Sequence, residues 1–258
     1  KSLTSGITDQ KKKIEVLYNY LQNNTRYVSV QLGIGGFKPI IAAKVAEVNY
    51  GDCKALSNYM KALLKQAGIP SQLVVIKNAD GLNGSLSASF SSIGQANHMI
   101  LCVPAAKDTV WLECTNQEMP AGFIGGSNSN RNVLLISDQG GKIARTPFYS
   151  ANHNLQKRNA EVIIDPNGKS SAKISTEYEY QQFENIFGQL YREPKEQKEA
   201  LYESLDISNP EITSFSYRQP DKNMPKVIEE ISLNINDLTA KGADKLFLTL
   251  NLMNKRSF

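Results

Sequence analysis

Between positions 50 and 70, apolar residues recur at Leu56, Tyr59, Met60, Leu63, Leu64 and Ala67, the three-and-four spacing of one buried helix face. Gly68, followed by Ile69 and Pro70, predicts the stop: glycine takes the left-handed cap and proline cannot continue the helix. Asp52 reads as the N-cap, which places Cys53 in the first turn. Upstream, Ile14, Leu17, Tyr18 and Leu21 form a second stripe, capped by Thr8 or Asp9. Residues 26–31 read as a short extended segment and 40–48 as a short helix leading to Tyr50. Downstream, 71–77 is a strand rich in Val and Ile. Residues 97–104 and 109–114 are two short strands joined by a polar turn over 105–108, and 133–136 is another strand before a turn at 138–141.

A polar stretch over 150–158 marks the predicted domain boundary, giving a core domain at 1–150 and a β-rich accessory domain at 151–258. Pro166-Asn167-Gly168 is a hairpin signal between strands at 159–165 and 170–180. Ala172, Ile174, Thr176, Tyr178 and Tyr180 alternate with Lys173, Ser175, Glu177 and Glu179, so one face of that strand is buried. Residues 181–205 read as helical with a break near Pro194, and 212–217, 226–235 and 245–252 as three further strands. The fold class is therefore α+β: a helix packed on an antiparallel sheet, then a small sheet or sandwich with a helical insertion.

Composition narrows the function. A chain of 258 residues with 41% hydrophobic content can build real cores, and a net charge of +4 is mild. The run Lys11-Lys12-Lys13 opens a helix and reads as a solvated face; no basic stripe interleaved with aromatics points to nucleic acid. No apolar run approaches membrane-spanning length. The chain begins at Lys1 without a signal-peptide pattern, which says nothing against secretion. The glycines at 33–36 lack phosphate-loop spacing. The three cysteines lack metal-site spacing, no acidic loop has calcium-ligand spacing, and no cofactor is called for. Cysteine usage does not fix the redox compartment.

The candidate chemistry lies at Cys53, His98 and Glu113. A thiol in the first turn of a helix sits where unpaired N–H groups and the helix dipole favour negative charge, and the thiolate is the nucleophile. The alternative is a free cysteine packed as a small hydrophobe. If the hairpin closes with Val103 opposite Asp108, His98 falls opposite Glu113; a register differing by two leaves them diagonal on one face, and a slip by one separates them. That register also puts Cys102 opposite Thr109, away from Cys114, so no disulfide is expected there. The spacing permits a Cys–His–carboxylate triad, with Glu113 orienting the ring and His98 activating the thiol. Residues 78–95 form a long Gly/Ser/Ala-rich loop with Leu82, Leu86, Phe90 and Ile93 as its apolar anchors. The loop runs into His98 and is expected to border the cleft and govern access.

Tyr50-Gly51-Asp52-Cys53-Lys54, a helix ending Ala67-Gly68-Ile69-Pro70, a strand, Asn97-His98-Met99-Ile100 and Trp111-Leu112-Glu113-Cys114-Thr115, in that order, resemble the transglutaminase-like superfamily. The nearest branch is bacterial proteins in which this papain-like core is flanked by β-rich domains. The resemblance runs well from about residue 9 to 115. It implies Cys53 as nucleophile, His98 as general base and Glu113 where the family usually has Asp. Ala55 stands where the family commonly carries an acid. The family also uses a side chain upstream of the cysteine at the oxyanion; Gln31 is the candidate by chemistry, an exposed strand glutamine being the alternative. Asp52 and Asn97 are placed as supporting residues.

The resemblance implies acyl transfer on peptide or protein amides through a thioester, with hydrolysis (peptidase or amidase) favoured over cross-linking because no separate acceptor site is legible. It also implies a periplasmic or cell-surface location. A second class of function is a non-catalytic module that binds peptide or glycan in a multidomain envelope protein, motivated by Ala55, Glu113 and an accessory half with neither Cys nor His from 159 onward.

Overall fold

The computed structural model describes residues 2–30, 32–79, 84–105, 108–205, 207, 209–236, 238–248 and 253. The chain splits into two units, residues 1–150 with 223–225 and residues 151–222 with 226–258.

In the first unit, helix α1 (Gln10–Asn24) starts on Asp9, whose side chain accepts from the Lys12 N–H at 2.9 Å. Strand β1 (Arg26–Tyr27) pairs in parallel with β2 (Tyr50–Gly51), and α2 (Ala42–Val48) lies between them in sequence. Helix α3 (Cys53–Gln66) ends in a Schellman turn: Gly68 adopts φ 76°, its N–H reaches Lys65 O at 3.1 Å, and the Ile69 N–H reaches Leu64 O at 2.9 Å. Strands β3 (Gln72–Ile76), β4 (His98–Val103), β5 (Val110–Leu112), β6 (Asn132–Ser137) and β7 (Gly140–Arg145) form an antiparallel sheet in the order β5-β4-β3-β6-β7. The core is where Leu17, Tyr18 and Leu21 of α1 meet Leu56, Met60 and Leu64 of α3, over Leu101, Val103 and Leu112 of the sheet. Burying each such side chain stabilises by about 1.5–3 kcal/mol.

Three expectations change here. The hairpin closes with Val103 opposite Val110, not Asp108, so Cys102 faces Trp111. A shift of two keeps every side chain on its face, so the apolar pattern does not distinguish the registers and the longer loop starting at Pro104 decides. Strand β7 occupies a segment whose residues are nearly all exposed, which gave no alternating signal. In the 78–95 loop, Leu86 is buried and its N–H reaches Asn132 O at 3.1 Å, while Phe90 and Ile93 are 65% and 76% exposed; Leu82 lies outside the described residues.

The second unit is a four-stranded antiparallel sheet ordered β10-β11-β9-β8, from β8 (Gln156–Ile164), β9 (Ser170–Glu179), β10 (Pro210–Arg218) and β11 (Lys226–Ile235). Helices α4 (Gln181–Ile186) and α5 (Pro194–Ser204) interrupt it, and a separate pair, β12 (Thr239–Gly242) with β13 (Lys245–Leu248), follows. Ala172, Ile174, Ile231 and Leu233 share its core with Leu201. Glu229, also buried, accepts from the Tyr178 hydroxyl at 2.9 Å, so its carboxyl group is hydrogen-bonded rather than orphaned. Among the described residues no helix is long and apolar enough to cross a membrane, and no group of three or more His, Cys, Asp or Glu could hold a metal ion.

Candidate active site

Cys53 is the first residue of α3 and is 4% exposed. Asp52 before it is the N-cap: Oδ1 accepts from the Ala55 N–H at 2.9 Å, while Oδ2 takes a charged hydrogen bond from Lys54 Nζ. All three of Asp52, Cys53 and Lys54 are buried. The turn is tight, since a Cβ on Gly51 would lie 2.6 Å from that of Ala55. Glycine at 51 is what allows β2 to feed the helix so closely. Ala55, fully buried against it, occupies the position where the resembled family commonly carries an acid.

His98 opens β4, opposite Ile76 of β3. One turn into α3, the Ser57 hydroxyl donates to the Met99 carbonyl at 3.1 Å and ties the helix to the strand beside the imidazole. The ring Nε2 lies 2.8 Å from Glu113 Oε2, and Cys53 is near enough to act on the charge of the imidazole.

Glu113 lies just past the end of β5, diagonal to His98 in the observed register. The longer side chain is held at both oxygens. Oε1 accepts from the Thr115 N–H at 3.1 Å and from its hydroxyl at 2.6 Å. Oε2 accepts from His98 and, also at 2.8 Å, from Asn128 Nδ2. The Glu113 carbonyl in turn accepts from the Tyr18 hydroxyl at 2.6 Å, fixing the backbone to α1.

These contacts set the charges. Burial opposes a proton on His98, but the hydrogen bonds to Cys53 and Glu113 and the charges of both outweigh it and push the imidazole up to about 10. Burial likewise opposes charge on Glu113, and its bonds to His98 and Thr115 win, holding it below the usual carboxylate range. The remaining cysteines are Cys102 and Cys114. All three are free; burial pushes Cys102 up to about 11, and burial together with the Glu113 charge pushes Cys114 up strongly.

The remaining predicted residues fall elsewhere. The Asn97 side chain is tied to Asn78: its Oδ1 accepts from the Asn78 N–H at 2.7 Å and its Nδ2 donates to the Asn78 carbonyl at 2.9 Å, clamping the start of the 78–95 loop. Gln31 lies outside the described residues. Asn128, Thr115 and Lys54 were not foreseen. Thr115, two residues after a carboxylate, carried the weak signal of a local side-chain turn; Asn128 sits in a Gly/Asn/Ser stretch with no pattern to single it out.

The family model of the transglutaminase-like superfamily matches residues 1–119. That segment belongs to the superfamily. The transglutaminase-like core thus contains Cys53, His98 and Glu113, while Asn128 lies beyond the matched residues. No curated protein matches the chain in sequence. A crystal structure from Parabacteroides distasonis ATCC 8503, described as a candidate protease, is similar to 92% of the chain at 11% identity with a TM-score of 0.45. The chain spans 48% of that protein's length.

Proposed function

We propose that the transglutaminase-like core is a cysteine-dependent acyl-transfer enzyme acting on peptide or protein amides, and that water is the usual acceptor. The observation that carries this reading is the pairing of His98 Nε2 with Glu113 Oε2 at 2.8 Å, with Cys53, the first residue of α3, acting on the same ring. The sulfur of Cys53 attacks the amide carbonyl as thiolate. The imidazolium gives its proton to the leaving amine, and the C–N bond breaks to leave a thioester. Water then attacks the thioester, His98 takes a proton from it, and the acid is released with the thiolate restored. Glu113 keeps the ring oriented and its charge balanced throughout. An acceptor amine in place of water would give transamidation.

The periplasmic or cell-surface location belongs to the same reading and rests on the likeness to bacterial proteins with flanking β-rich domains. The test is a peptide-amide panel incubated with and without a primary amine, products being read by mass spectrometry. The reading expects free acid as the main product in water, with none formed by Cys53→Ala. Product formed equally by wild type and Cys53→Ala would refute it.

A further inference from the structure

We propose that Asn128 is a positioning residue of this site, fixing Glu113 and joining it to the base of the loop that runs into His98; this rests on the acyl-transfer reading above. Asn128 is 2% exposed and every part of its amide is used. Its Nδ2 donates to Glu113 Oε2 at 2.8 Å and to the Ile124 carbonyl at 3.1 Å, and its Oδ1 accepts from Asn78 Nδ2 at 2.9 Å. Asn78 is the residue whose backbone Asn97 clamps, and Asn97 is the neighbour of His98 in the chain. A closed circuit therefore runs from Glu113 through Asn128, Asn78 and Asn97 to His98 and back to Glu113. A glutamate has one more rotatable bond than an aspartate, so a carboxylate at this position needs holding from a second direction to present one oxygen to a ring nitrogen. Thr115 holds Oε1; Asn128 holds Oε2, the oxygen His98 uses.

The full chain, as wild type, Asn128→Ala, Glu113→Gln and the double variant, is labelled at Cys53 with iodoacetamide. In parallel, the exchange of the His98 Nε2 proton is followed by NMR, and folding is checked by urea melts. A hydrogen bond to a charged group is worth about tenfold or more. Asn128→Ala should therefore slow labelling about tenfold and speed exchange of the His98 proton similarly, while adding little in the Glu113→Gln background. Asn128→Asp keeps the shape and the acceptor for Asn78 but loses the donor; it should slow labelling at least as much, and it serves if the alanine variant does not fold. Asn128 variants that melt earlier yet leave both the labelling rate and the proton exchange unchanged overturn the proposal, as does full additivity in the double variant. A wild-type Cys53 that labels no faster than glutathione refutes the acyl-transfer reading instead, and the His98 proton still reports on the Asn128 contact.

Discussion

His98 and Asn128 donate to the same oxygen of Glu113, each at 2.8 Å, although one opens β4 and the other lies past β5 in the chain. The carboxylate is thus placed by its neighbours rather than by its own strand, which stops at Leu112.

The charge balance predicts how His98 titrates. Its folded value is raised from 6.5 to about 10, so its contribution to stability is fully present below 6.5 and is lost as pH rises through about 10. Glu113 is shifted the other way, so its contribution is present above the ordinary 4.5 and is lost in acid as the carboxylate protonates. NMR of the ring should show a midpoint near 10 in wild type and a lower one in both Cys53→Ala and Glu113→Gln, since each removes one of the two partners that raise it. A midpoint near 6.5 in the wild type would show that the ring is not paired.

Only one of the three cysteines should react in the folded protein. Burial and, for Cys114, the adjacent carboxylate hold the other two thiols protonated. Iodoacetamide near pH 7, followed by peptide mapping, should modify Cys53 first, with Cys102 and Cys114 modified only on unfolding. Equal modification of all three would contradict the assignment.

The buried Asp52–Lys54 pair beside the thiol predicts a non-additive cycle. Asp52→Asn keeps a good N-cap but strands the Lys54 charge, and breaking a buried pair costs about 3–5 kcal/mol. Adding Lys54→Met removes the stranded charge and should restore most of the loss, measured by urea melts. Additive losses would mean that the pair is not coupled.

Much of this architecture was legible in the sequence, for physical reasons that also explain what was not. Helix α3 has a cap, a periodic face and a Gly-Ile-Pro stop, three independent local signals that agree. His98 and Glu113 could be put on one face because strand parity survives a two-residue register error. The register itself depended on the loop from Pro104, which parity does not constrain. Asn128 was invisible because its role is made only by tertiary contacts, to Glu113 in one direction and Asn78 in the other. The exposed strand β7 lacked a buried face and so lacked alternation.

The loop before His98 makes a further prediction. Leu86 is docked, but Phe90 and Ile93 are left exposed. Replacing both with Ser should change stability by no more than about 0.5 kcal/mol. It should also alter capture of bulky electrophilic peptides at Cys53 while leaving iodoacetamide labelling unchanged. If bulky and small reagents both react at wild-type rates, these residues take no part in access.

The most direct test of the whole account is covalent capture by an electrophilic peptide amide analogue, read by intact-protein mass spectrometry on wild type, Cys53→Ala and His98→Ala. The account predicts a single adduct on Cys53 in the wild type, none in Cys53→Ala, and a rate at least about a hundredfold lower in His98→Ala, the lower end of what a general acid–base group contributes. An adduct forming at the same rate in wild type and His98→Ala would contradict it.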